Sequence, residues 1–188
     1  LYIAADVQTD ESGSSDLSIV KKYIQTALEL QSEETIIVIL SQVPPGFTRT
    51  YSKPGLRIFC QVETLIFGEA IERALNPERY IIGAFDPKLP LPTCYQELLD
   101  SHGSPPINQM SYESAELAKI SINCFLAAAV STTNTLAELC EELDADWSEI
   151  VPTLRLDRRI GQYAYLTPGL GLSGGNIERD IATVNRLG

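Results

Sequence analysis

The stretch ESAELAKISINCFLAAAVSTTNTLAELCEEL, residues 113–143, sets the architecture. It holds no Gly or Pro, and apolar residues recur at helical spacing at Ala115, Ala118, Ile122, Phe125, Leu126, Ala129, Val130, Leu136, Leu139, Cys140 and Leu143. Ser111 suits an N-cap, and Glu113 is an acid in the favourable first turn. At 1.5 Å per residue the predicted helix is roughly 45 Å long. So long a rod needs a surface to cover it. Ala127, Ala128 and Ala129 permit close approach of another helix. Two coverings are open: a second copy of the chain, or the short helices predicted at Trp147–Leu154 and Ile177–Leu187.

Upstream of the rod the pattern alternates. Strands are expected at Tyr2–Val7, Thr35–Leu40, Leu56–Gln61 and Tyr80–Ala84, with a helix capped by Asp16 carrying Leu17, Val20, Ile24, Ala27 and Leu28. Thr35–Leu40 is apolar on both faces, as a central strand of a helix-covered parallel sheet should be. Val43-Pro44-Pro45-Gly46 stops the chain there, because proline donates no ladder hydrogen bond. Helical periodicity returns at Leu65–Leu75 and Tyr95–Leu99, and Pro105–Gln109 reads as a linker. The expected fold is α/β: a partial Rossmann-like parallel sheet in residues 1–104, then an all-helical domain on one long central helix in residues 105–188.

Composition narrows function. With 14 Lys plus Arg against 25 Asp plus Glu, the net charge is −11, and no basic run serves nucleic acid or an anionic membrane surface. Uninterrupted apolar runs fall short of the roughly 20 residues that cross a bilayer. No secretory leader opens the sequence, so a cytoplasmic location is expected. Cys60, Cys94, Cys124 and Cys140 have no metal-ligand spacing and read as small buried hydrophobes in a reducing compartment. His102 is the only histidine, too few for a zinc site or a Ser-His-Asp triad.

Several residues stand apart. Lys119 and Asn123 lie four apart on the long helix and face the same way. They form either a solvated stripe or a cation with a neutral donor, aimed at an oxygen that becomes negative in a transition state. Glu63 and Gln42 follow strands, where open parallel sheets bind ligands, although both also suit solvated loops. Asp180 could orient a lysine or a water, or serve as a first-turn acid. Arg158 and Arg159 are either an anion site or surface charge. The glycines between Pro168 and Gly175 allow sharp turns or close approach to a ligand. They match neither a Walker A loop nor GxGxxG after a strand.

Taken in order, these segments resemble the nucleotide-sugar dehydrogenase family that oxidises UDP-glucose or GDP-mannose to the uronic acid. The resemblance rests on Val43-Pro44-Pro45-Gly46-Phe47-Thr48, on Glu63 to Ala70, and on Pro77-Glu78-Arg79-Tyr80-Ile81-Ile82-Gly83. Ser114 to Lys119 with Asn123 and Asn134, Asp157 to Gly161, and Pro168 to Asp180 continue it. It implies NAD as cofactor, a nucleotide sugar as substrate and a homodimer through the central helix. It also implies catalytic roles for Glu63, Lys119, Asn123 and Asp180, cofactor contacts from Gln42, Pro44 and Glu63, and substrate contacts from Arg159, Gly171 and Gly174. In that chemistry an alcohol becomes an aldehyde, a cysteine captures it as a thiohemiacetal, and a second oxidation gives a thioester that water releases as the acid.

The departures are specific. Asn176 stands where the family places its nucleophilic cysteine, and an amide forms no thioester. Gln42 replaces a threonine, Gln61-Val62 an Asn-Pro, Thr64 a phenylalanine, and Arg179-Asp180 a Lys-Asp pair. Neither the family's GxGxxG nor its second α/β domain is present in these residues, so the chain is not expected to complete the reaction alone. The alternatives are a non-catalytic dimerisation or ligand-binding homologue, and oxidation only as far as the aldehyde in a longer form.

Overall fold

The computed structural model describes residues 1–10, 13–64, 66, 68–171 and 175–187. It divides into two compact units, Leu1–Lys119 and Ile120–Gly188. In the first, strands β1 (Tyr2–Ile3), β2 (Ile37–Ile39), β3 (Ile58–Val62), β4 (Tyr80–Ala84) and β5 (Ile107–Ser111) form one sheet in sequence order. Helices α1 (Ser18–Leu30), α2 (Ala70–Leu75) and α3 (Thr93–Asp100) connect them, with a 3₁₀ turn at Thr48–Tyr51.

Strand β2 carries the expected double burial. Ile37 and Ile39 pack with Val20, Ile24 and Ala27 of α1, while Val38 faces the opposite layer with Tyr95 and Leu99 of α3. All three β2 residues are buried because helices cover both faces of a period-2 strand. Asp16 sits two residues before α1 and accepts the Ser18 backbone N–H at 2.9 Å.

The sheet is parallel as expected in three of its pairings and reversed in one. Pairings β1–β2, β2–β3 and β4–β5 are parallel, whereas β3 and β4 run antiparallel, with Cys60 opposite Gly83. A parallel crossover needs a helix that buries an apolar stripe on the sheet. Helix α2 has six residues, none of them buried, and Ile71 and Leu75 are exposed, so the return is made without such a crossover. The helix expected over Leu65–Leu75 therefore begins only at Ala70, and Leu65 and Phe67 lie outside the described residues. The segment read as a linker at Pro105–Gln109 supplies most of β5 instead. Pairing with β4 outweighs the turn signal of the two prolines, which fall just before the strand.

Helix α4, Tyr112–Glu142, runs from the first unit into the second, one residue offset from expectation at each end. The Ser111 hydroxyl accepts the Ser114 backbone N–H at 3.3 Å, in the role assigned to it. By length and composition alone this 31-residue helix, with a mean hydropathy of 1.3 over its most apolar window, is long and apolar enough to cross a membrane, contrary to the reading from uninterrupted runs. Core helices of soluble proteins meet the same criterion. Here Tyr112 and Ala115 lie in the first unit and Ile120, Ala127 and Cys140 in the second, all buried.

Tyr112 is fully buried and its hydroxyl donates to the Ile58 carbonyl at 2.7 Å. Gly83 lets α4 approach the sheet: a Cβ there would lie 3.0 Å from Ala115 Cβ, 3.1 Å from Tyr112 Cα and 3.2 Å from Cys60 Cβ. Gly83→Ala is expected to destabilise the first unit by about 1–3 kcal/mol, read as a lower urea midpoint. An unchanged midpoint would show that α4 can retreat without cost.

Arg49 ties the 3₁₀ turn to the start of α4. It pairs with Glu113 through two bonds of 2.8 and 3.0 Å and lies over the rings of Phe85 and Tyr112. The guanidinium holds the Glu113 carboxyl down at about 2. A depressed carboxylate contributes fully above its unfolded value and loses that contribution as pH falls toward its folded one. Because Glu113 is 44% exposed, solvent screening keeps the gain to about 1 kcal/mol or less. Arg49→Gln should therefore lower the thermal midpoint slightly at pH 7 and by less near pH 2, where the Glu113 share is lost and the ring contacts remain.

The second unit adds α5 (Trp147–Leu156) and α6 (Gly175–Leu187) to the remainder of α4. Asp146 caps α5 by accepting the Ser148 N–H at 2.8 Å. Thr133 donates to the Tyr165 carbonyl and Trp147 to the Leu166 carbonyl, which fixes the connecting segment. The four cysteines are free; Cys60 and Cys140 are buried as expected, whereas Cys94 is exposed and Cys124 half-buried.

Candidate functional site

Because β2 and β3 are parallel, their carboxyl ends emerge on one edge of the sheet. A cavity of about 130 Å³ opens there, lined by Gln42 after β2, by Cys60, Gln61 and Glu63 on and after β3, and by Glu116 and Lys119 of α4. This is the edge where open α/β sheets bind ligands. Gln42, Glu63 and Lys119 were named from sequence and the structure brings them together.

Glu116 builds one wall and was missed as a site residue. It is 3% exposed, and its two oxygens accept the backbone N–H groups of Gly46 at 2.5 Å and Thr48 at 2.9 Å. Gly46 adopts φ +88°, the left-handed conformation that turns the double-proline loop back toward α4. Burial pushes the Glu116 carboxyl above its ordinary value, and the backbone donors pull the other way. Its signal was its position three residues before Lys119, which places both on one helical face.

Cys60 does not stand in for the missing nucleophile. Burial, with the Glu116 charge nearby, pushes its thiol up to about 12, so it stays protonated and unreactive at neutral pH. Glu63 is held from behind: Gln61 Nε2 donates to Glu63 Oε1 at 2.7 Å, and the Tyr95 hydroxyl donates to Gln61 Oε1 at 2.9 Å.

In the second unit Asn123 is neither solvated nor idle. It is 8% exposed and donates to Asp180 Oδ2 at 2.6 Å. Asp180 is 2% exposed, and Arg179 Nε lies 3.7 Å from its Oδ1. Arg179 also donates to Asn176 Oδ1 at 3.0 Å, and Asn176 is exposed on the first turn of α6. Asn123 is therefore not part of a solvated stripe, while Lys119 is half-buried on the cavity wall of the first unit. Asn134, two turns before the end of α4, accepts the Gly169 N–H at 3.0 Å and fixes the start of the glycine segment.

The other named residues are placed less tellingly. Gly171 has φ +104°, a turn conformation that glycine favours. Gly174 lies outside the described residues. Arg159 is 89% exposed and doubly bonded to Asp157, at 3.0 and 2.7 Å. Pro44 is half-buried in the loop that Glu116 anchors. Among the described residues no group of three or more His, Cys, Asp or Glu gathers as a metal site.

Comparison with known proteins finds likeness along the whole chain. Residues 113–187 match the UDP-glucose/GDP-mannose dehydrogenase family, central domain. The chain is 30% identical to the UDP-glucose 6-dehydrogenase TuaD of Bacillus subtilis over 196 residues, covering 100% of this chain and 42% of that protein. It is 28% identical to the UDP-glucose 6-dehydrogenase AglM of Haloferax volcanii, covering 97% and 46%. A solved UDP-glucose dehydrogenase from Pyrobaculum islandicum superposes with a TM-score of 0.78 at 27% identity, over 100% of this chain and 45% of that one. The chain thus spans somewhat under half the length of the relatives it matches.

Proposed function

We propose, from the match of residues 113–187 to the UDP-glucose/GDP-mannose dehydrogenase central domain and from a likeness to such dehydrogenases that runs the length of the chain, that this chain serves NAD-linked oxidation of a nucleotide sugar at a primary alcohol. The observation that carries the reading is Glu63 and Lys119 lining one cavity at the carboxyl edge of parallel strands. A carboxylate can take the hydroxyl proton as a hydride departs, and a fixed ammonium stabilises the negative oxygen formed on the way to the aldehyde. Gln42 brings a side-chain amide to the cavity wall, two residues before Pro44, a group of the kind that can meet the amide of a nicotinamide cofactor, and bound NAD would supply the hydride acceptor.

In a longer form of the chain the reaction stops at the aldehyde. Acid formation by this family's route needs a thiol, and Asn176 occupies that place in a neutral amide that forms no thiohemiacetal. The test is NADH formation by the longest natural form of the protein with a panel of UDP- and GDP-hexoses, with the product trapped by a hydrazine. One NADH per sugar and a trapped aldehyde are expected, and Asn176→Cys should add a second NADH and release uronic acid. Absence of both NAD binding and turnover with every sugar would refute the enzymatic reading.

Loss of the thiol also favours a second reading, a ligand-binding or dimerisation homologue. Either way the chain pairs through α4, whose Phe125 is 79% exposed and whose Leu139 and Leu143 continue the apolar surface into the following turn. A dimer by light scattering is expected, with Phe125→Glu shifting it to monomer. A monomeric parent at micromolar concentration would defeat this.

A further inference from the structure

We propose that Gln61 and Tyr95 are positioning residues that fix the Glu63 carboxylate in one orientation, a role that rests on Glu63 being the base of the proposed oxidation. Three side chains form a directed hydrogen-bond relay across one face of the sheet, from α3 through β3 to the cavity. The Tyr95 hydroxyl donates to Gln61 Oε1 and Gln61 Nε2 donates to Glu63 Oε1, at 2.9 and 2.7 Å.

The direction of the relay is forced. An ionised carboxylate only accepts, so the Gln61 amide must present its NH2 to Glu63 and its oxygen to Tyr95. Tyr95 is 3% exposed, and burial pushes its phenol well above the ordinary value, so it remains a donor. Its ring is itself held, against Phe59 with centroids 5.3 Å apart and within the apolar layer of Leu91 and Leu99. Gln61 is 7% exposed. A buried amide with both ends occupied cannot flip without leaving the phenol and the carboxylate mismatched.

The consequence falls on the second oxygen. Glu63 Oε1 is occupied by Gln61, and among the described residues no hydrogen bond is made to Oε2, which is therefore the oxygen left to take a proton from a bound hydroxyl. A neutral amide does not titrate, so it holds this orientation across the working pH range, as a lysine or histidine partner would not. Gln61 and Tyr95 touch neither substrate nor cofactor in this scheme and act only through Glu63.

Two measurements test it. The first is side-chain amide exchange at Gln61 by NMR on the protein. Tyr95→Phe, which keeps the ring and removes the hydroxyl, should speed that exchange at least tenfold; an unchanged rate overturns the relay. The second is kinetic, on the longest natural form. Gln61→Met should lower kcat roughly tenfold with KM unchanged, and Tyr95→Phe should lower it in the same sense. The double variant should be no slower than Gln61→Met alone, because Tyr95 acts through Gln61. Effects that simply multiply, or a rise in KM with kcat intact, overturn the positioning role. If Gln61→Met does not fold, Tyr95→Phe carries both measurements. A protein that turns over no nucleotide sugar refutes the oxidation, and with it the catalytic use of the relay, while the exchange measurement still decides whether the relay exists.

Discussion

Asp180→Ala is expected to destabilise the second unit by about 3–5 kcal/mol, the range seen when one partner of a buried ion pair is removed. Asp180 and Arg179 are 2% and 4% exposed, so the guanidinium would lose its neighbouring anion with little water to replace it. The Asn123 amide would lose its 2.6 Å acceptor at the same time. Asp180→Asn keeps an acceptor for Asn123 and removes only the charge, so its cost should be distinctly smaller. Denaturant unfolding of both variants separates the two contributions. A loss below about 1 kcal/mol for Asp180→Ala would mean that Arg179 finds water or another anion, and that Asp180 is free to serve chemistry alone.

That dependence explains how much of the site the sequence disclosed. Residue type and position on an element were legible: Lys119 and Asn123 lie one helical turn apart on α4, and Glu63 directly follows β3. What each touches was not. Asn123 and Asp180 are separated by 57 residues, and only closure of α6 onto α4 turns a polar residue on a helix into a buried pair. Glu116 escaped notice because an acid in the first turns of a helix has an ordinary explanation in the helix dipole. Its role in gathering the Gly46 and Thr48 amides depends on a contact 70 residues away. Gln61 looked like a mere departure from a family pattern until Tyr95 arrived from α3 to hold it.

The fold shows the same division. Doubly apolar β2 and proline-free α4 announced themselves, since burial on both faces and absence of helix breakers are local properties. The reversal between β3 and β4 did not, because strand direction depends on where the intervening chain packs. The apolar residues Ile71 and Leu75 suggested a covering helix, yet both remain exposed. Similarly β5 has a half-buried pattern and follows two prolines, so its identity as a strand comes from β4, which offers five partners in register.

Lys119→Met should cost about 100- to 1000-fold in kcat on the proposed alcohol oxidation while leaving the stability of the first unit within about 1 kcal/mol. The size follows from removing a preorganised charge from a partly enclosed cavity, where a developing oxyanion has less water to fall back on. Methionine preserves most of the stem that lies along the cavity wall, so the loss isolates the ammonium. Lys119→Arg restores the charge but spreads it over a planar fork, and should recover only part of the rate. Glu116, one turn earlier and committed to two backbone amides, makes the complementary control. Glu116→Gln places an NH2 against one of those donors, so it should lower stability first and rate only as the double-proline loop loosens. Equal losses of kcat in Lys119→Met and Glu116→Gln, each accompanied by a lower unfolding midpoint, would reduce Lys119 to a structural residue and remove the charge on which the proposed oxidation depends.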